Sequence, residues 1–348
     1  WLKVHASMKT PLLGGAKSDA MTTIGAQEPA LVANLVTSKP PRATIVWTLL
    51  LGLLLATLVC ASFLLQLALA LVSSPLLLTS SGRKLFHSLQ NRCIVHAVGI
   101  AVHLHCAWCF RTLRAQRTSD NSDAPSPKGL GRVYFCNHRS NADPFFLAAL
   151  LLRRCREARF VYKSSLGKLP IVGWCCRLGG NLAVHFGDKQ RIVDMLSEAK
   201  ELLRNGYDIV VFPEGTRSPS GLLQAFKPSF FDVCAEVGCQ GIPICMLGTE
   251  RAWPLGGFKT GCTSITAMIG DPILARDSMQ FKEQIAAAMQ GLASQAIADG
   301  NAPADDPAAT GRPYSWWKRP EHMQGMSEEE VMNLLRSGQG HERGAHLA

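Results

Sequence analysis

Charge is scarce in this chain: only 18% of its 348 residues are Asp, Glu, Lys or Arg, and between Ala43 and Gly82 there is none. Within that gap Ile45 to Val72 is almost continuously apolar, broken by Thr48, Thr57, Ser62 and Gln66. A helix of this stretch would be roughly 40 Å long against a hydrocarbon thickness of about 30 Å, so the expectation is a membrane helix, tilted or running past one interface. A buried core helix of a soluble domain would be shorter and would carry a polar face. Acidic residues are the rarer sign, 26 against 36 basic, for a formal charge of +10. That balance suggests an anionic partner such as anionic lipid, a phosphorylated substrate or nucleic acid. No zinc-finger spacing, basic helix or aromatic RNA-binding box accompanies it, which argues against nucleic acid. The pair Cys106 and Cys109 has no second CxxC to complete a zinc site, so no metal is expected. The 12 cysteines, Cys175-Cys176 among them, lie in apolar surroundings and read as buried free thiols of a reducing compartment. A Gly-x-Ser-x-Gly elbow is also missing, which removes the commonest nucleophilic serine.

What is present divides the chain into parts. Residues 1–42, with Asp19 and Glu28 as their acids, read as a flexible leader; a transit peptide would share the shortage of acids but would favour Arg over Lys. Residues 43–112 read as membrane-anchoring helices. The first ends at Ser73-Ser74-Pro75, and the second, Cys93 to Phe110, returns through the membrane or lies at its interface, with His96, His103 and His105 given no chemistry. Residues 113–130 read as a linker, rich in Ser, Pro and Asp from Asp120 to Lys128.

Alternation begins in residues 131–298. Strands are expected over Arg132–Cys136, Arg159–Tyr162, Ile209–Phe212, Ile242–Leu247 and Ser264–Ile269. Helices are expected over Pro144–Leu152, from Ile192 through Leu203 to a stop at Asn205-Gly206, over Pro228–Val237 before Gly238, and over Met279–Ile297. The fold class is α/β, a sheet flanked by helices, with an N-terminal membrane helix or helical hairpin. Residues 299–348 carry an Ala, Pro, Asp and Gly tract and read as a mobile tail, in which Trp316-Trp317-Lys318-Arg319 could meet a bilayer or dock on the protein's own domain.

Two blocks carry the chemistry, each following an expected strand. Asn137-His138-Arg139-Ser140-Asn141-Ala142-Asp143 offers an imidazole with a carboxylate close by, which suits a base that takes a proton from a hydroxyl. Asp143 followed by Pro144 also has the form of a helix N-cap and first helical residue, and the two roles are compatible. Phe212-Pro213-Glu214-Gly215-Thr216-Arg217-Ser218 sets a guanidinium beside a Gly-containing turn, which suits a phosphate; the bland alternative is a Glu214–Arg217 surface ion pair.

These residues resemble the PlsC-type glycerolipid acyltransferases, which move a fatty acyl group from acyl-CoA or acyl-carrier protein to a lysophospholipid or glycerol phosphate. Asn137, His138 and Asp143 fit the first family motif, and residues 212–218 match the third at every place. Leu169-Pro170, Gly173-Trp174 and Gly179-Gly180 look like the second, and Ile242-Pro243-Ile244 like the fourth, all in family order. The resemblance covers roughly positions 130 to 270. It implies a catalytic domain over residues 131–298 with His138 as general base, Asp143 as its orienter, and Glu214, Gly215, Thr216 and Arg217 binding the acceptor's phosphate end. The second motif departs from the family after Gly180, where Asn181 to Lys189 lacks the usual arginine. His185, Lys189 and Arg191 are then the candidates for a second cation, Lys189 being the one assigned to substrate binding.

The implied reaction is transfer from acyl-CoA, a co-substrate with no further cofactor, to 1-acylglycerol-3-phosphate (lysophosphatidic acid) at a bilayer. The implied location is an internal membrane, the endoplasmic reticulum with the domain on its cytosolic face, or a plastid or mitochondrion. Glycerol 3-phosphate or another lysophospholipid as acceptor, and a non-catalytic lipid-binding protein, are the other readings.

Overall fold

The computed structural model describes residues 67–108, 112–118, 129–151, 158–253, 264–314 and 319–337, together with Ala61, Leu64, Leu65 and Ser126. The expected leader, residues 43–60 of the expected membrane helix, half of the linker and Trp316-Trp317 lie outside them.

A 3-10 turn at Ser74–Leu78 leads into a long helix, α1 (Ser80–Trp108), which is followed by β1 (Thr112–Arg117). Then follow β2 (Arg132–Cys136), α2 (Asp143–Leu151), β3 (Arg159–Lys163), α3 (Val172–Leu178), β4 (Leu182–Val184), α4 (Lys189–Arg204) and β5 (Ile209–Val211). The chain continues through α5 (Ser229–Val237), β6 (Gln240–Leu247), α6 (Thr249–Ala252), β7 (Ser264–Ile269), β8 (Ile273–Leu274), α7 (Ser278–Ala298), α8 (Pro307–Thr310) and α9 (Glu328–Ser337). The expected strands and helices of residues 131–298 fall on these elements.

The strands form an eight-stranded mixed sheet in the order β1-β7-β6-β2-β5-β3-β4, with β8 beside β6. Side chains alternate across it. Tyr134, Cys136, Ile242, Ile244 and Met246 meet Phe146 and Leu147 of α2 on one face. Val133, Phe135, Ile209 and Val211 meet Phe231 of α5, Ile285 and Met289 of α7 and Leu203 of α4 on the other. Because helices cover both faces, the central strands need apolar residues at every position, and runs such as Val133 to Cys136 are the result.

Local signals end the helices where the sequence places them. In α4, Met195, Ala199 and Leu203 are buried on one stripe, the Asp188 carboxylate accepts from Arg191 N–H, and Gly206 takes φ 82° just beyond the end. Gly238 ends α5 in the left-handed region at φ 71°. Pro243 is not at a sheet edge. It lies in central β6 between the residues paired with β8 (Gln240, Gly241) and those paired antiparallel with β7 (Ile244 to Leu247), where its missing N–H breaks no bond to either.

Of the two expected N-terminal helices, only the second falls mainly on described residues. Among the described residues no helix is long and apolar enough to cross a membrane. The second apolar stretch, as far as Trp108, belongs to α1, which packs on the α/β unit. Its Phe86, Gln90, Asn91 and Ile94 are buried, Asn91 Nδ2 donates to Ala158 O at 2.9 Å, and His87 Nδ1 lies 3.0 Å from Leu178 O. A helix that must bury two amides against a protein carries polar residues where a spanning helix would not.

The stretch expected to be a mobile tail contains packed elements. Val331 and Leu335 of α9 and Met323 form a small core with Leu222. Its composition is loop-like because few side chains are buried, and each of those finds a partner on the domain.

Candidate active site

Strand β2 lies between β5 and β6 and is parallel to both, with Val133 opposite Ile209 and Cys136 opposite Ile244. Their carboxyl ends therefore point the same way, and the loop after β2 meets the loop after β5, the crevice position in which open α/β sheets hold ligands. The first loop starts with Asn137, whose side chain continues the ladder where the backbone leaves it. Its Nδ2 donates to Met246 O at 2.9 Å and its Oδ1 accepts from Met246 N–H at 2.6 Å. These two bonds fix the start of the turn that carries His138.

His138 and Asp143 are together. His138 Nδ1 is 2.8 Å from Asp143 Oδ2, and the same oxygen accepts from Arg139 N–H at 2.7 Å and Ser140 N–H at 2.8 Å. Asp143 is the first residue of α2, yet its carboxylate turns back to the loop instead of forward to the helix amides, so the cap geometry is not the one found. With Nδ1 bound to the carboxylate, the imidazole has its proton on that side and presents Nε2 as the base. No described residue hydrogen-bonds Nε2. The Phe212 ring stacks on the imidazole, with centroids 4.4 Å apart, and fixes its plane.

The second loop is fastened to the first. Ser218 N–H donates to His138 O at 2.7 Å, and Glu214 Oε1 accepts from His138 N–H at 2.8 Å. The other Glu214 oxygen accepts from Gln224 N–H at 3.1 Å. Glu214 was expected to bind the acceptor; its carboxylate is instead buried and holds two backbone segments. Burial pushes that carboxyl up to about 8, against the pull of the two N–H bonds. Gly215 is exposed, and Thr216 and Arg217 are half-buried. Arg217 forms no ion pair among the described residues, so the surface-pair alternative with Glu214 is not what the loop contains. Gly215 takes φ 74°, and a Cβ there would stand 2.5 Å from Lys227 Cε. Lys227 thus lies over the turn with its N–H donated to Pro213 O at 2.9 Å, and like Arg217 has no ion-pair partner among the described residues.

Residues 117–247 match the family model described as Acyltransferase. These residues are similar to an acyltransferase domain. The curated relatives include the chloroplastic 1-acyl-sn-glycerol-3-phosphate acyltransferase LPAT1 of Arabidopsis thaliana, 35% identical over 136 residues, 39% of this chain and 35% of the relative. A 1-acyl-sn-glycerol-3-phosphate acyltransferase of Chlamydomonas reinhardtii is 35% identical over 124 residues, 36% of each chain. The chain spans about a third of the length of these relatives. The crystal structure of the 1-acyl-sn-glycerophosphate acyltransferase PlsC from Thermotoga maritima superposes with a TM-score of 0.50 at 22% identity, over 70% of this chain and 95% of that one, and shows a shared fold.

Within the matched stretch the second motif is a shaped wall. Ile171, at φ 64° and ψ −63°, sits in a γ-turn closed by Val172 N–H to Pro170 O at 2.7 Å, a strained conformation for a β-branched residue. Gly173 touches the backbone of Gly167, where a Cβ would stand 2.2 Å from the carbonyl oxygen. The candidate second cations diverge. Arg191 is bound to Asp188 at 3.3 Å and to His185 at 3.3 Å, while Lys189 is exposed at the start of α4 and, among the described residues, forms no bond to the Arg217 loop. Among the described residues no group of three or more His, Cys, Asp or Glu is placed to hold a metal ion.

Reading the sequence alone missed Phe212 as a ring partner, Lys227 as a cation, and Arg139, Asp306 and Tyr314 as a buried group. Phe212 and Arg139 stood inside the motifs, next to residues with more obvious chemistry. Lys227, Asp306 and Tyr314 carry no local signal, because contacts across 10 or more residues bring them to the site.

Proposed function

We propose that the chain transfers an acyl group from acyl-CoA to the free hydroxyl of 1-acylglycerol-3-phosphate, giving phosphatidic acid. The observation that carries this reading is the His138–Asp143 pair locked to a loop bearing two cations, Arg217 and Lys227, that form no ion pair among the described residues. His138 Nε2 takes the proton of the acceptor hydroxyl as its oxygen attacks the thioester carbon. The new C–O bond forms, the tetrahedral intermediate expels the thiolate by breaking the C–S bond, and the imidazolium returns the proton to that sulfur. Asp143 holds the tautomer and offsets the charge on the ring while the proton is there. Base catalysis of this kind contributes about 10² to 10⁴ in rate. Gly215 leaves the turn open, Thr216 offers a hydroxyl, and Arg217 supplies a planar fork for two phosphate oxygens, with Lys227 as a second positive charge. Glu214 serves by holding both loops.

The acceptor is amphipathic, so the reaction belongs at a bilayer, and the charge-free stretch from Ala43 to Gly82 is the anchor we assign to it. The chloroplastic relatives favour a plastid membrane as the compartment.

The test is product formation by the purified full chain in mixed micelles with labelled acyl-CoA or acyl-carrier protein. Each donor is offered with lysophosphatidic acid, glycerol 3-phosphate or lysophosphatidylcholine. Labelled phosphatidic acid from acyl-CoA and lysophosphatidic acid is the expected result. Transfer only to another acceptor, or only from the carrier protein, would replace that part of the proposal, and no transfer to any acceptor would end it.

A further inference from the structure

Arg139 follows the base directly in sequence and is one of the largest fully buried side chains of the molecule. A buried guanidinium needs partners, and its partners come from far along the chain. Nη1 and Nη2 donate to the two oxygens of Asp306 at 2.9 and 2.8 Å, Nη1 also donates to Tyr314 Oη at 2.9 Å, and Glu250 lies 3.9 Å away. Asp306 is itself fixed, because Oδ1 accepts from Ala308 N–H at 3.0 Å at the start of α8. The main chain of Arg139 meanwhile donates to Asp143 Oδ2. One residue therefore joins the carboxylate that orients His138 to a segment beyond residue 300.

The same segment grips the second loop. Tyr314 N–H donates to Ser220 O at 3.1 Å, and its ring lies against Gly221, where φ is 78° and a Cβ would stand 2.3 Å from Tyr314 Cε2. Only glycine permits that approach. Farther along, Ala225 N–H donates to Arg336 O at 2.7 Å, and Leu222 packs on Met323, Val331 and Leu335. All of these contacts fall on the stretch between Arg217 and Lys227. They come from residues beyond position 247, where the acyltransferase match stops.

We propose that residues 303–314 together with α9 are a strap that positions both loops of the active site, with Asp306 and Tyr314 as positioning residues that act through Arg139 and the Ser220-Gly221 turn. The His138 loop and the Arg217 loop are held at their adjoining edges by the strand ends. The strap holds their outer sides, so the spacing between base and phosphate grip is set by a part of the chain that contributes no reacting group.

The test has two arms on the full chain. Its kinetic arm rests on the acyltransferase reading, and its exchange arm does not. In Asp306→Asn the charged pair with Arg139 is lost at nearly constant volume, and amide hydrogen exchange in residues 137–143 and 218–226 should rise at least about 10-fold while β7 and α7 stay protected. In the same variant kcat per folded molecule should fall about 10- to 100-fold through misplacement of the base, with KM for acyl-CoA within about 2-fold of the parent. Should Asp306→Asn fail to fold, Tyr314→Phe removes only the hydroxyl, and the same two loops should exchange at least about 3-fold faster as its hydrogen bonds to Arg139 and Glu250 are lost. Unchanged exchange in both loops, or a uniform rise that includes β7 and α7, overturns the strap. Loop exchange that rises with unaltered kcat overturns its positioning role. If the parent transfers no acyl group, the functional reading fails, and the exchange arm still decides the strap.

Discussion

Asp143→Asn separates the part of the site that does chemistry from the part that holds shape. Asp143 Oδ2 accepts three hydrogen bonds, from His138 Nδ1, Arg139 N–H and Ser140 N–H, and the side chain is fully buried. An asparagine can keep an oxygen near the two backbone amides, so the loop should survive. Loss of the charge on those bonds should cost about 1–2 kcal/mol, since hydrogen bonds to charged groups contribute about 1.5–3 and neutral ones about 0.5–1.5. In a domain of this size that lowers the melting temperature by roughly 2–8 °C. The kinetic cost should be far larger. The imidazole loses the acceptor that fixes its tautomer, and a rate loss of about 10²- to 10⁴-fold is expected at temperatures where the variant is fully folded. The assay is phosphatidic acid formation at saturating substrates beside a circular-dichroism melt. His138→Ala should lose at least about 100-fold, and the double variant little more than the worse single one, since groups acting as a unit are not additive. A folded Asp143→Asn enzyme within about 3-fold of the parent would refute the pairing as catalytic, whatever its melting temperature.

Glu214→Gln should change the pH dependence of stability. The folded carboxyl titrates near 8 and the unfolded one near its ordinary value, so the unfolded chain releases a proton first, and the parent should lose stability as pH rises from about 4.5 to about 8. The variant lacks this slope, and parallel melting curves for the two proteins over that range would contradict the buried placement. Arg217→Lys and Lys227→Met should each raise KM for lysophosphatidic acid about 10-fold or more, as loss of a charge-assisted contact of about 1.5–3 kcal/mol implies, with KM for acyl-CoA moving much less. A change confined to acyl-CoA would assign the cations to the donor. Removal of residues 1–73 should release much of the domain from membranes in a carbonate wash while leaving α1 in place, and quantitative retention would mean another surface anchors it. Cutting as far as residue 90 should instead destabilise the domain, because Phe86 and Gln90 are buried and His87 bonds to the α/β unit.

The sequence determined those features whose cause is local. A short unbroken apolar run wrote Val133 to Cys136 as a strand, a helical stripe with Asp188 before it and Gly206 behind it wrote α4, and two short blocks named His138, Asp143 and Arg217. The two residues of the base pair are close in sequence, so their meeting needed only a turn. What lay far apart had to wait for the fold. Glu214 reads as part of the grip on the acceptor's phosphate end, and only parallel pairing of β2 with β5 turns it under His138. Pro243 reads as part of the fourth motif, and only the change of partner from β8 to β7 shows why a central strand accepts a residue with no N–H. Residues 303–337 read as a tail because loop composition records how few side chains are buried, whereas Asp306 and Tyr314 derive their importance from one buried charge, Arg139, on the other side of the sequence. Hydrophobic periodicity reports burial along one element; the pairing of single polar groups across elements depends on the distance between them, which tertiary structure alone sets.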